Sequence, residues 1–488
     1  MNINFNAFFR VIGLAMFLMS GAMLIPLSVS LYYAEWDSAK AFSATVLSCI
    51  IIGLVIKTVA KPLKKTLTMR DSFFIVPRFW ILVSLISSVP FLIQGCIKSP
   101  VSAFFEMTSG LTTTGASVLQ NIEILPKSML YWRSFTHWLG GMGILIFMLA
   151  LLPSIGLNSN ALAAAEAPGP TMDKLTPKIS DSARNLYIMY SIFTIAMIVI
   201  LMLLGMSFFD ASTHAFGSIG TGGFGIYNDS IAHYASPAIE WAIALFMVFA
   251  GVNFNLYYYT ITKKGGYKIL FKDEEFRFYI ILIVLATLAI AADLFKSGFH
   301  DFLTSLRASF FQVASIITTT GYSSEDFNLW PAFSKMILII LMIIGGCSSS
   351  TSGGIKVVRI LTMLKLIKRG IQVQLHPNAI ISIKMNEKKL SIDTINLIMS
   401  MIFLHMALVG ISTLFVCIDG HDIITSFTAT LACIGNVGPG FNLVGPESNY
   451  SIFSEPILLL LSMLMIAGRL ELYTFIMVFI PHFWKQDI

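Results

Sequence analysis

Charge is scarce in this sequence for its length. Only 12% of its 488 residues are Asp, Glu, Lys or Arg, about half the share of a soluble domain. So few charges would not cover the water-facing surface of a soluble protein this long, which excludes that class. Cysteine is scarcer still, at five residues. Cys49, Cys96, Cys347, Cys417 and Cys433 lie in or beside apolar runs. No spacing among them matches a zinc site or a disulfide framework, so they read as small buried hydrophobes. There is no phosphate-binding loop, no zinc signature and no convergent set of acid, base and nucleophile, so no enzymatic activity is expected. The first apolar run, within residues 7–32, lacks a small-residue cleavage site and is too long for a signal peptide. It is expected as a retained first helix. The net charge of +6 reads by location and not as a nucleic-acid signal, so no nucleic-acid partner is expected.

What is present is apolar length. Hydrophobic residues make up 56% of the chain and the mean hydropathy is +0.79, which predicts an all-α polytopic membrane protein. A spanning helix needs about 20 apolar residues. Candidate spans are 7–32, 41–60, 73–94, 128–152, 185–209, 237–262, 277–298, 332–365, 391–418 and 454–483. Ten spans put both termini on one side. Lys57, Lys61, Lys64, Lys65 and Arg70 form one basic connector, Lys263, Lys264, Lys268, Lys272 and Arg277 a second, and Arg359, Lys365, Lys368, Arg369, Lys384, Lys388 and Lys389 a third. Their alternation places them, and both termini, in the cytoplasm. The opposite face carries Asp229, Glu325, Asp326, Glu447 and Glu455, a bias that enriches cations near a mouth.

Between some spans lie apolar segments too short to cross, at 100–111, 210–219, 301–317 and 421–434. Each must enter the membrane and return, and irregular backbone at that depth survives only inside protein or along a water-filled cavity. Each is followed by a glycine-bearing stretch: Thr112, Thr113, Thr114 and Gly115; Ile219, Gly220, Thr221 and Gly222; Thr318, Thr319, Thr320 and Gly321; Gly435, Asn436, Val437 and Gly438. The final glycines are 107, 99 and 117 residues apart. The division expected is 1–70 as two N-terminal helices, then four helix–pore-helix–filter–helix repeats at 71–157, 158–272, 273–372 and 373–488 around a pseudo-fourfold pore.

Four re-entrant segments around one axis describe a cation pore. An extended strand pointing its carbonyls inward replaces an ion's hydration shell, and glycine permits the backbone angles this needs. The short helix before each strand directs its partially negative C-terminal end at the pore centre. Asp210 and Asp301 stand at the starts of two such helices, where capping and the helix dipole favour them. The span 332–365 is interrupted by Gly345, Gly346, Ser348, Ser349, Ser350, Thr351, Ser352, Gly353 and Gly354. So many small residues break a helix, and the segment reads as an intramembrane gating loop, the alternative being a kink satisfied by Ser/Thr hydroxyls packed between membrane helices. Arg469 lies deep in the last span, where a charge faces a cavity or a partner. Glu471 is a poor partner for it, because residues two apart on a helix do not face each other. His137 and Trp138, beside Gly140, Gly141 and Gly143, are assigned a packing or interfacial role.

The segments "RSFTHWLGGMG" (133–143), "AEAPGPTMDKLTPKI" (165–179), "FFQVASIITTTGY" (310–322), "GGCSSSTSGGIKVVRI" (345–360), "IGNVGPG" (434–440) and "AGRLE" (467–471) give the chain its resemblance. It resembles, over essentially its whole length, the TrkH/TrkG branch of the Trk/Ktr/HKT superfamily of potassium transporters. The two extra N-terminal spans favour this branch over the shorter Ktr type. Glycine at all four filter positions resembles the potassium-selective members, whereas some sodium-preferring plant relatives carry serine at the position of Gly115. The resemblance implies potassium as the transported ion, with no cofactor, across a bacterial inner membrane. It implies that the loop 345–354 gates and that Arg469 projects into the path below the filter. It also implies a homodimer and a cytoplasmic TrkA-type nucleotide-binding regulatory subunit. The alternative is a secondary transporter of another small cation or solute, which predicts broken helices in inverted pairs.

Overall fold

A computed structural model describes residues 4–60, 68–143, 179–262, 266–379 and 381–484. Within these the regular structure is α-helix, with short 3-10 turns and a small hairpin pairing Lys384–Met385 with Lys388–Lys389; irregular stretches join the helices. Six helices are long and apolar enough to cross a membrane, or seven if one bent pair counts as a single span. Residues 144–152 of the fourth expected span, 165–178 of one motif, and Lys61, Lys64, Lys65, Lys263 and Lys264 lie outside the described residues.

Helices α1 (Phe5–Tyr32) and α2 (Trp36–Val59) form an antiparallel pair that packs on α3 (Met69–Gln94). A capping box at Thr68 and Asp71 starts α3, and Gly95 at φ +86° ends it. From α3 onward one motif recurs four times: a long helix, a short re-entrant helix, an irregular strand and a second helix. The first copy is α3, α4 (Pro100–Leu111) and α5 (Lys127–Gly141). The second is α6 (Ile179–Leu203), α7 (Phe208–Ile219) and α8 (Pro237–Ala250), continued by α9 (Phe254–Thr262). After the short α10 (Tyr267–Lys272), the third is α11 (Glu274–Lys296), α12 (Phe302–Ile317) and α13 (Ala332–Ile344), continued by α14 (Val357–Leu375). The fourth is α15 (Ile392–Val416), α16 (Ile423–Gly435) and α17 (Glu455–Arg469), continued by α18 (Leu472–Ile476).

The re-entrant helices start at matching points. Their N-cap residues are Ser99, Ser207, Asp301 and Asp422. Asp210 lies in the first turn of α7, where the helix dipole favours it, but as its third residue and not its cap, with its N–H held by Ser207 Oγ at 3.1 Å. The Thr425 hydroxyl and backbone hold the Asp422 carboxyl below the usual carboxylate range. Large apolar side chains face outward, Leu203 at 81% and Phe403 at 76% exposure. That is the arrangement for a chain whose solvent is lipid.

The sequence predicts a break in one span, at 345–354, and the structure breaks others at corresponding places. The expected span 237–262 bends by 87° between α8 and α9. The expected span 454–483 ends its helix at Arg469 and turns through Glu471 at φ +62°. Helix α5 stops at Gly141, with Gly143 at φ +74°. Apolarity alone carried the longer readings. Periodicity does not register a break whose freed backbone groups find partners in a distant segment.

Candidate functional site

The four glycine stretches share one backbone conformation. After each re-entrant helix a single non-glycine residue adopts a left-handed conformation: Thr113 at φ 54°, Thr221 at 54°, Thr319 at 56° and Asn436 at 54°. The next N–H bonds back into the helix: Thr114 to Ser109 O at 2.9 Å, Gly222 to Gly217 O at 2.8 Å, Thr320 to Ser315 O at 2.8 Å, Val437 to Ala432 O at 2.9 Å. A glycine at positive φ follows: Gly115 at 81°, Gly223 at 75°, Gly321 at 87° and Gly438 at 99°. Such φ values strain any residue with a β-carbon.

These glycines close a ring. A β-carbon on Gly115 would strike the carbonyl oxygen of Gly222, one on Gly223 that of Thr320, one on Gly321 that of Val437, and one on Gly438 that of Thr114. Each repeat thus touches the next and the fourth returns to the first. The ring is built from carbonyl oxygens that lie side by side only because four glycines leave room.

The ring moves the second stretch by one residue from its expected place. Ile219 is the last residue of α7, and Gly220, Thr221, Gly222 and Gly223 align with the other three stretches by φ and hydrogen bonding. Matching the nearest Thr-Gly pair selects Gly222, whereas the backbone requires Gly223. Two successive glycines make the register ambiguous until the neighbouring repeat is present.

The threonines divide their work. The hydroxyls of Thr112 and Thr114 bond to each other at 2.8 Å, as do those of Thr318 and Thr320 at 2.7 Å. They stiffen the strand from behind. The middle residue differs by repeat. Thr221 Oγ1 donates to Gly220 O at 2.7 Å, and Asn436 Nδ2 donates to Thr114 Oγ1 at 3.0 Å and Met465 O at 2.9 Å. Thr113 Oγ1 is buried with no hydrogen-bond partner among the described residues.

Behind the ring lie groups that the sequence reading did not single out. Arg133 and Glu106 form a fully buried ion pair at 2.8 Å. Glu106 also accepts from Val118 N and Ser117 Oγ, and Arg133 donates to Gly225 O, so the pair ties the outer limbs of the first and second strands. Tyr322 Oη donates to Phe224 O at 3.3 Å, and Tyr450 Oη to Gly438 O at 2.7 Å. The signal for the ion pair was present: a carboxylate and a guanidinium in apolar segments are costly unless paired.

The loop 345–354 sits against the ring where the strands leave their short helices. Gly353 N donates to Thr319 Oγ1 at 2.7 Å and Gly354 N to Gly435 O at 3.0 Å. The break in the second repeat receives it. Cys347 N donates to Gly251 O at 2.9 Å, Thr351 Oγ1 to Ala250 O at 3.2 Å, and Phe254 N to Ser349 O at 3.1 Å. Thus α8 ends so that its last carbonyls meet the loop. The buried Glu275 accepts from Ser348 N at 2.6 Å and Ser348 Oγ at 2.7 Å. Arg469 donates to Thr351 O at 2.7 Å and to Gly140 O and Gly141 O at 2.6 and 2.5 Å. The Glu471 carboxylate takes Arg359.

A family model for TrkH, described as a cation transport protein, matches residues 38–486. The chain belongs to the TrkH cation transport family. It is 34% identical to the Trk system potassium uptake protein TrkH of Salmonella typhimurium, with 99% of this chain and 100% of that one covered. It is also 34% identical to TrkG of Escherichia coli, over 97% of each chain. The crystal structure of the potassium transporter TrkH from Vibrio parahaemolyticus superposes with a TM-score of 0.89 at 32% identity, covering 99% of this chain and 100% of that one. The TrkH-family fold is therefore the all-α polytopic architecture that composition predicts.

In this TrkH-family chain a cavity lies over the ring, lined by Gly115, Gly223, Gly321, Gly438 and Glu447. Of the five acids expected near a mouth, Glu447 is the one that lines this cavity. Glu325 pairs with His300 at 2.8 Å, and Glu455 accepts from Ser99 Oγ at 2.5 Å. Among the described residues no group of three or more His, Cys, Asp or Glu is placed to hold a metal ion. The ligands on offer to a cation are carbonyl and hydroxyl oxygens.

Proposed function

We propose that this chain is the ion-conducting membrane subunit of a Trk-type potassium uptake system, and that potassium passes through the four-glycine ring. The observation that carries this reading is the cyclic contact of Gly115, Gly223, Gly321 and Gly438 with the carbonyls of Gly222, Thr320, Val437 and Thr114. Potassium suits such a site because carbonyl oxygens replace its hydration shell at low cost. Thr112, Thr113, Thr114, Gly115, Gly220, Thr221, Gly222, Gly223, Thr318, Thr319, Thr320, Gly321, Gly435, Asn436, Val437 and Gly438 form the filter, one stretch from each of four repeats.

The loop 345–354 is the gate and Arg469 its tie. The loop's hydrogen bonds to Thr319 and Gly435 support this, since a loop seated there closes the inner end. The protein resides in a bacterial inner membrane with both termini cytoplasmic, works as a homodimer and takes a TrkA-type nucleotide-binding partner on its basic cytoplasmic loops. The secondary-transporter alternative calls for breaks in inverted pairs. Here the helix after each strand ends at the matching point of all four units, which favours the pore.

The test is rubidium uptake into vesicles containing the purified protein, competed by potassium and by sodium. Wild type should prefer potassium. Gly115→Ser and Gly321→Ser should each reduce that preference roughly tenfold, equivalent to about 1.4 kcal/mol, because the new β-carbon displaces a neighbouring carbonyl. Unchanged preference in both variants would remove the filter assignment.

A further inference from the structure

The second strand of the ring is anomalous. In the first and third, the third position carries a threonine, Thr114 or Thr320, whose hydroxyl locks onto the strand's first threonine. In the fourth that position is Val437. In the second it is Gly222, followed at once by Gly223. Two glycines in succession have the least intrinsic restraint of any dipeptide, yet the Gly222 carbonyl must hold its place against Gly115. Gly222 has no positive φ among the described residues that do, so backbone conformation does not explain the missing side chain.

His137 explains it. A β-carbon on Gly222 would fall within the imidazole of His137, which is fully buried. The ring comes from α5, the helix of the first repeat, and occupies the volume that a threonine side chain would otherwise fill. Its two nitrogens are both engaged. The backbone N–H of Phe224 donates to Nε2 at 3.1 Å, so Nε2 carries the lone pair and the proton resides on Nδ1. Nδ1–H donates to Gly110 O at 2.7 Å, near the end of the first re-entrant helix. The imidazole also packs on the Phe224 ring, with centroids 4.2 Å apart. One side chain therefore connects the first re-entrant helix to the outer limb of the second strand, two residues past Gly222.

We propose that His137 is a specificity-determining positioning residue of the ion filter. It supplies to the second strand, from the neighbouring repeat, the restraint that Thr114 and Thr320 supply within their own. The proposal rests on the filter reading above. Its content is that ion preference depends on a residue that does not line the path, through its bond to Phe224 N–H and its occupation of the space beside Gly222.

The same vesicle assay tests it, read as the ratio of potassium to sodium competition, which a lower yield of folded protein does not move. His137→Asn keeps a donor near the Nδ1 position but does not reach Phe224. It should lower the preference for potassium roughly tenfold, about 1.4 kcal/mol. His137→Gln keeps an acceptor near the Nε2 position and should stay within about threefold of wild type, since the Phe224 bond survives. Gly222→Thr alone should abolish uptake, and His137→Ala with Gly222→Thr should restore at least part of it with a potassium preference above that of His137→Ala. Wild-type preference in His137→Asn, equal losses in His137→Asn and His137→Gln, or normal uptake by Gly222→Thr alone would each overturn the proposal. Gly321→Ser measured alongside separates the two levels. If it relaxes preference and His137→Asn does not, only the role of His137 falls. If neither does, the filter reading falls with it.

Discussion

Arg469 offers the sharpest test of how the inner loop is held. Its guanidinium bridges Thr351 O on the loop to Gly140 O and Gly141 O at the end of α5. A hydrogen bond from a charged donor contributes about 1.5–3 kcal/mol. On the proposed gating role, moving the loop out of the path would break the Thr351 bond but not those to α5. Removing the guanidinium should therefore favour the displaced loop by roughly 10- to 100-fold in population, at about 1.4 kcal/mol per decade. A second effect has the same sign. A fixed positive charge about 4 Å from a conducted cation repels it by about 4 kcal/mol at an effective dielectric near 20, less where water intervenes. Arg469→Ala should thus raise potassium flux per folded molecule several-fold or more. Arg469→Lys separates the two effects. It retains the charge, but one ammonium on a flexible stem does not reproduce the planar fork that spans both sets of carbonyls. If the tie dominates, lysine should resemble alanine; if the charge barrier dominates, lysine should resemble wild type. Flux would be measured in vesicles and normalised to folded protein from size-exclusion chromatography. Reduced thermal stability with no rise in flux for Arg469→Ala would refute both effects and leave a purely structural role.

The remaining predictions concern the ring and its surroundings. Gly223→Ala should abolish uptake, because a β-carbon there collides with Thr320 O and the left-handed backbone costs about 1–2 kcal/mol. Ile219→Val, at the end of α7, should leave ion preference unchanged, and a shift in it would return the second stretch to its unshifted register. Glu106→Gln should cost about 3–5 kcal/mol by leaving Arg133 buried without its counter-charge. Thermal unfolding in detergent checks this, and the double variant Glu106→Gln, Arg133→Gln should recover part of the loss.

How much of this was legible in the sequence depends on the range of the interaction involved. Low charge and long apolar runs determine the class, because lipid admits only helices or closed barrels. The re-entrant helices were readable almost to the residue, since their length and the Thr-Gly breaks after them are local; 100–111 coincides with α4. The loop 345–354 was visible for the same reason, as nine of its ten residues are glycine, serine or threonine. What tertiary structure alone decided is everything set by a neighbouring repeat. Gly223 takes its place because Thr320 O lies against it, and Gly222 lacks a side chain because His137 stands there. The span 237–262 breaks because Cys347, Ser349 and Thr351, about a hundred residues away, partner the freed backbone groups of Ala250, Gly251 and Phe254. The charges of Glu106 and Arg133 were legible one at a time, but their pairing is a distance between two helices. Local composition specifies which backbone conformations are possible, and the closure of four unequal repeats into one ring selects among them.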